Sequence, residues 1–335
     1  MWTFDLSLSF LLQIGLLITL ALGSLKAYLL LKMEDCKSTN KLTGKTVIIT
    51  GANTGIGKET AIDLAKRGAR VVLACRNLDK ASAAKDDIIR ESGNANVVVR
   101  HLDLASLKSV RKFADEIIKN EPRLDILVNN AGCVVYHDKL TEDGLAYHMQ
   151  TNHLGHFLLM NLLLGLLKKS APSRIVCTAS MAHGWTKSLD VENLHSEFSY
   201  TSKSTLIHEI YLYVYSKLSP VLCTRHLAPL IFDSGVTINC LCPGVVYTDV
   251  FRNTYSWFQM IVTFAAPYFL KTAKQGAQTN IHLAVSDEVA GITGEYFTSC
   301  KVTDVSKLAK DAAVAKKVWE MCETLVKLQP EERHY

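Results

Sequence analysis

Residues 45–57, Lys-Thr-Val-Ile-Ile-Thr-Gly-Ala-Asn-Thr-Gly-Ile-Gly, constrain the fold of this chain more than any other stretch. Thr46 to Thr50 is a β-branched run without polar alternation, the pattern of a strand buried on both faces. Glycines follow at Gly51, Gly55 and Gly57, and helical periodicity sets in over Lys58–Lys66. A strand that turns into a helix through glycines aims backbone N–H groups outward at the positive end of the helix, which makes a cradle for a phosphate. The three glycines divide the work between a tight turn, close approach to a pyrophosphate and close packing of helix on strand. Asn53, Thr54, Ile56 and Lys58 complete the candidate phosphate turn. Such turns also occur where nothing binds, so the rest of the chain has to decide.

Further strands are predicted at 70–75, 97–100, 126–128, 174–178, 237–242 and 295–297. Helices alternate with them over about 78–92, 107–119 and 144–168. Val110, Phe113, Ile117 and Ile118 give the second of these helices one apolar face, whereas the third is apolar nearly all round. Such alternation builds a single doubly wound parallel sheet with helices on both faces, and places the ligand crevice at the carboxyl ends of the strands. The catalytic domain is expected over 40–300, with a helical C-terminal tail at 301–335.

The second strand ends at Arg76, with no carboxylate in that position. An acidic residue there would bind the ribose 2′-hydroxyl of NAD, whereas Arg76 and Lys58 suit the 2′-phosphate of NADP. Asp103 and Leu104, ending the third strand, are placed to meet the adenine, and the small residues in Asn130-Ala131-Gly132 let backbone approach the cofactor. Tyr213 and Lys217 lie four apart and share a helix face. A phenol titrates near pH 10, and a neighbouring ammonium draws that value toward neutrality, which suits it to acid–base work. Ser180 ends the fifth strand and can hydrogen-bond a substrate oxygen. Asn152, in Thr151-Asn152-His153-Leu154-Gly155-His156, is read as a helix-breaking polar residue that supports a relay water.

The motifs 50–57, Asn129-Asn130-Ala131-Gly132, Asn152, Ser180, Tyr213-Val214-Tyr215-Ser216-Lys217 and Pro243-Gly244 resemble, in order and spacing, those of the short-chain dehydrogenase/reductase family. Residues 51–60, 73–76, 152–157 and 271–279 are similar to its microsomal retinol dehydrogenase branch. The resemblance implies a Rossmann-type fold and a preference for NADP(H). It casts Tyr213 as general acid–base, Lys217 as the group that lowers its pKa and holds the nicotinamide ribose, Ser180 as the orienter of substrate and Asn152 as support for the relay. Pro243, Gly244, Val246 and Thr248 would border the nicotinamide. Cys242 stands where that branch often has histidine, and the interval from Ser180 to Tyr213 is extended around 198–210. That extension and Tyr247–Leu270, almost wholly apolar from Trp257 onward, are expected to border a lipophilic substrate.

The expected activity is interconversion of a lipophilic alcohol and its carbonyl, with retinol/retinal first and a steroid or fatty aldehyde second. A non-catalytic NADP-binding scaffold is the alternative from another class. The sequence leaves oligomeric state open, a homodimer included.

Leu6 to Leu25 is a run of 20 residues without a charge, long enough to cross a hydrocarbon core of about 30 Å. Ala21-Leu22-Gly23 resembles a signal-peptide cleavage site, but no Lys or Arg precedes the run and it exceeds an h-region of roughly 7–15 residues. Residues 1–33 are therefore read as a retained membrane anchor. Lys26, Lys32 and Lys37 follow the run and keep the remainder cytosolic, and the resemblance to the microsomal branch implies an endoplasmic reticulum membrane. A net charge of +5, without basic–aromatic blocks, gives nucleic-acid binding no support. The nine cysteines form no C-x-x-C pair and read as core residues of a reducing compartment. His153 and His156 lie three apart on a helix with no further ligand cluster evident, so no metal site is read.

Overall fold

The computed structural model describes residues 23–24, 34–134, 140–191, 206–247 and 270–335, with side chains from 210 in the fourth of these segments. The anchor stretch 1–33 falls almost wholly outside them. So do Thr248, most of 198–210 and nearly all of Trp257–Leu270. Among the described residues no helix is long and apolar enough to cross a membrane.

Strands β1 (Thr46–Thr50), β2 (Arg70–Cys75), β3 (Val97–His101), β4 (Ile126–Asn129), β5 (Ser173–Thr178), β6 (Val236–Cys242) and β7 (Tyr296–Thr298) form one parallel sheet. The order is β3-β2-β1-β4-β5-β6-β7, so the strand order reverses between β1 and β4. A two-residue strand, β8 (Lys301–Val302), adds antiparallel to β7 at the edge and corrects the expectation of a wholly parallel sheet. The structure otherwise has the expected doubly wound α/β form.

Side chains alternate across a strand, and here the alternation sorts them into two cores. Val47 and Ile49 join Val71, Leu73, Ile126 and Val128 on one face, packed on helices α1 (Gly55–Lys66), α2 (Leu78–Ser92) and, from further along the chain, 273–285. Ile48, Val72, Leu127 and Ile175 face the opposite way. There they meet α3 (Leu107–Asn120), a long helix α4 (147–169) and α5 (Leu206–Leu230). Each such side chain withdrawn from water contributes roughly 1.5–3 kcal/mol. Helix α6 (Ala273–Val285) opens on a capping box of Thr272 and Gln275. Helix α7 (Ala312–Leu325) lies within the stretch read as a tail; its Val318, Trp319 and Cys322 are buried in the same core as α4 and α5.

Helix α4 departs from expectation in one useful way. It begins at Tyr147–Met149, passes through a π-turn at Gln150–Leu154 and continues as Gly155–Lys169, instead of running unbroken from about Gly144. The Gly155 N–H reaches back five residues to the Gln150 carbonyl. Single π-turns within α-helices collect at functional sites, and this one carries Asn152.

Candidate active site

The helix ends differ in a way that locates an anion site. Asn77 caps α2 and Ser106 caps α3 through side-chain oxygens. At the start of α1 the Thr54 side chain makes no cap bond, and no acidic residue stands in the first turn. The positive end of α1 is thus shaped to receive a ligand anion. Two close approaches explain the glycines. A Cβ on Gly57 would lie 2.6 Å from Asn130 Nδ2 and from the Gly51 carbonyl. Gly51, with φ +65°, would meet Ala131 at 3.0 Å. The turn is therefore welded to the end of β4, and Asn53, Gly55 and Ile56 ride on it. A Cβ on Gly276 of α6 would lie 2.7 Å from Val246 and 3.2 Å from Ile56.

Thr50, the last residue of β1, holds that junction. Its Oγ1 accepts the N–H groups of Asn130 (2.9 Å) and Ala131 (3.0 Å) and lies 2.8 Å from His156 Nε2. A hydroxyl has two lone pairs and one proton. Both lone pairs serve amides, so the proton goes to His156 Nε2, which is closer than the Val128 carbonyl at 3.4 Å. His156 Nδ1 faces the Asn152 carbonyl at 3.2 Å, an acceptor only, so Nδ1 carries the imidazole proton. Burial drives the pKa of His156 down to about 3, which keeps it neutral.

A histidine whose folded pKa is depressed leaves its stability intact above about pH 6.5 and loses it as pH falls toward 3, at up to about 1.4 kcal/mol per pH unit. His183, His226 and His282 shift downward by burial as well, so the wild type alone does not isolate the effect. His156→Gln does. The deficit of that variant in urea unfolding should shrink by about 2 kcal/mol between pH 6.5 and 5; a deficit independent of pH would refute a neutral buried imidazole.

The predicted chemical residues gather at the carboxyl ends of β4 and β5. Tyr213 and Lys217 stand one turn apart on α5, and Ser180 follows β5 and hydrogen-bonds the phenol. Lys217 is buried, with Nζ 3.3 Å from the Thr178 carbonyl. A Cβ on Gly132 would stand 3.2 Å from that Nζ and 3.6 Å from Asn152 Oδ1. Glycine therefore lets the backbone of this loop pass close to the ammonium and the amide. Asn152 is more occupied than expected. Its Oδ1 accepts from Cys133 N (2.8 Å), and its Nδ2 donates to the Cys133 carbonyl and the Ser216 hydroxyl (both 3.0 Å). The side chain clamps the loop after β4 to α5.

Three expectations need correction. Burial pushes the Tyr213 phenol up to about 12, opposed by the Ser180 hydrogen bond, rather than down as an ammonium neighbour suggested. Lys58 is already paired before any phosphate contact, its Nζ 2.6 Å from Asp87. His153 does have company: Cys223 and Cys322 lie 3.6 and 3.2 Å from its Nε2, while His156 turns away to Thr50.

On the adenosine side, Arg76 is exposed at the end of β2 and donates to the Tyr147 hydroxyl at 2.7 Å. Asp103 Oδ1 accepts from Ala105 N, and Leu104 is buried. Pro243 and Gly244 follow β6, with Val246 buried beside them. Two residues without a predicted role also reach the site: Lys271, whose side chain flanks Gly244 and whose backbone pairs with Val246, and Asn280, which links Thr178 to Asn130. Both lie far along the chain from the strands they serve.

The model of the short chain dehydrogenase family matches residues 45–188. Human retinol dehydrogenase 13 is 44% identical over 301 residues, covering 88% of this chain and 88% of its own. Human retinol dehydrogenase 12 is 43% identical over 291 residues, covering 87% and 89%. Among solved structures, an uncharacterized protein from Mycobacterium paratuberculosis superposes with a TM-score of 0.69 at 30% identity, covering 88% of this chain and 98% of its own. A short chain dehydrogenase from Shigella flexneri complexed with NADP gives 0.61 at 25% identity, covering 79% and 100%. With this fold, this site and these relatives, the chain belongs to the short-chain dehydrogenase family, in its retinol dehydrogenase-like branch, and is an oxidoreductase that uses a nicotinamide cofactor.

Proposed function

We propose that the chain interconverts a lipophilic alcohol and its carbonyl, with retinol/retinal as substrate and NADP(H) as cofactor. One observation carries the reading: Ser180, Tyr213 and Lys217 converge beside Gly132 at the carboxyl ends of β4 and β5. A bound nicotinamide supplies or accepts the hydride. Tyr213 gives its phenolic proton to the carbonyl oxygen in reduction and takes it from the alcohol in oxidation. Ser180 orients that oxygen, and Asn152 keeps the loop carrying Gly132 at the right distance from α5. Lys217, buried beside Gly132, holds the ribose and supports the phenolate when it forms.

Retinoid as substrate is supported by the names of the relatives, and a bilayer source by the apolar stretches 6–25 and 257–270. We read residues 1–33 as an anchor in the endoplasmic reticulum membrane that leaves the catalytic part in the cytosol. The test uses the full chain in microsomal membranes with retinal, a steroid ketone and a long-chain aldehyde, each with NADPH and NADH. Retinal turnover at the highest kcat/KM supports the assignment, and preference for another carbonyl overturns it.

The cofactor preference rests on Arg76, which spends one of its five donors on Tyr147. Charge-assisted hydrogen bonds to a phosphate contribute about 1.5–3 kcal/mol. Arg76→Ala should therefore lower the preference for NADP over NAD roughly 10- to 100-fold, read as the ratio of kcat/KM with each cofactor. An unchanged ratio would leave NADP without a determinant.

A further inference from the structure

On the α4–α5–α7 side of the sheet, three donor atoms from distant parts of the chain converge. His153 comes from the π-turn, Cys223 from α5 and Cys322 from α7, and all three are buried. Nε2 of His153 lies 3.2 Å from Cys322 Sγ and 3.6 Å from Cys223 Sγ, across 169 and 70 residues of sequence. The three donor atoms all lie within 4.8 Å of one another.

Those spacings have the size of a coordination polyhedron. With Zn–N about 2.0 Å and Zn–S about 2.3 Å, tetrahedral geometry sets nitrogen and sulfur about 3.5 Å apart and two sulfurs about 3.8 Å apart. Two thiolates and an imidazole are also the donors that favour zinc over magnesium or calcium. Two thiolates balance the dication, so the filled site carries no net charge into an apolar core. A fourth donor has room. A cavity of about 20 Å³ touches His153 and Cys223 and is lined also by Asn129, Met160 and Thr224. It is large enough for one water, and Asn129 Oδ1 on its wall is buried without a hydrogen-bond partner.

We propose that His153, Cys223 and Cys322 bind a zinc(II) ion, with a water in the adjoining cavity as fourth ligand. Binding displaces the two thiol protons to solvent and leaves the metal and sulfur oxidation states unchanged. The site ties α7 to α5 and to the π-turn next to Asn152, so its role is structural, and no step of proton or hydride transfer passes through it. Because every donor is buried, the ion enters as the chain folds.

The full chain, expressed in zinc-supplemented medium and purified in detergent, should contain about one zinc per chain. Expression with cobalt(II) should produce thiolate-to-cobalt charge-transfer absorption. The Cys223→Ala/Cys322→Ala double variant should lose metal and absorption together, whereas Cys75→Ala, a buried thiol in the core on the other face of the sheet, should keep both. The wild-type measurements stand even if the double variant folds poorly. Substoichiometric metal in the wild type with no cobalt absorption, or a Cys223–Cys322 disulfide in the native chain, would overturn the proposal.

Discussion

Replacing Tyr213 by phenylalanine should lower kcat about 10²- to 10⁴-fold in both directions, the range that a positioned general acid–base supplies. KM should change little, because the phenol contributes mainly when the proton moves. Removal of one oxygen from a half-buried ring leaves packing intact, so circular dichroism and unfolding midpoint should match the wild type. The direction of the pKa sharpens the test. With burial holding the phenol at about 12, almost none is ionised at neutral pH. Alcohol oxidation needs the phenolate, so its kcat/KM should rise with pH, approaching tenfold per unit, until the fold gives way. Carbonyl reduction needs the protonated form and should stay flat over the same range. Equal residual activity in wild type and variant would remove Tyr213 from the chemistry and return the scaffold reading.

Thr50→Val should cost about 3 kcal/mol of stability although the two side chains are nearly the same shape. The hydroxyl satisfies the amides of Asn130 and Ala131 and the Nε2 of His156 at once. A methyl in its place leaves three polar atoms without that partner, each at about 1–3 kcal/mol when buried; the half-exposed Asn130 and Ala131 recover part of this from water. Thr50→Ser keeps the hydroxyl and should recover most of the loss. The turn at 51–57 packs on Ala131, so affinity for the dinucleotide should fall alongside stability. A Thr50→Val loss below about 1 kcal/mol in urea unfolding would show that the junction draws its strength from packing instead.

Much of the arrangement is legible in local pattern. β-Branched runs give strands because a doubly buried strand needs no polar alternation, and the predicted spans at 46–50, 70–75 and 126–128 differ from the observed ones by at most a residue. The glycine turn and the Tyr213–Lys217 pair are equally local, one a matter of backbone geometry and the other of helical spacing. The π-turn in α4 was not legible, since its apolar residues suit an α-helix as well. Asn152 was recognised as polar and out of place, but its three partners, Cys133 N, Cys133 O and Ser216, belong to another loop and another helix. The same holds for Lys58, whose partner Asp87 lies across the α1–α2 contact.

The sequence by itself determined the alternation of strand and helix, the glycine turn and the shared helix face of Tyr213 and Lys217, because each depends on residues a few positions apart. Only the tertiary structure decided what those groups face. Burial sets the Tyr213 and His156 pKa values, and burial is a property of the packed sheet rather than of any one segment. The Thr50 junction joins residues about eighty and a hundred positions apart, and the His153–Cys223–Cys322 cluster spans still more. Side-chain donors and acceptors find partners wherever the chain brings them within about 3 Å, a distance that sequence separation does not encode.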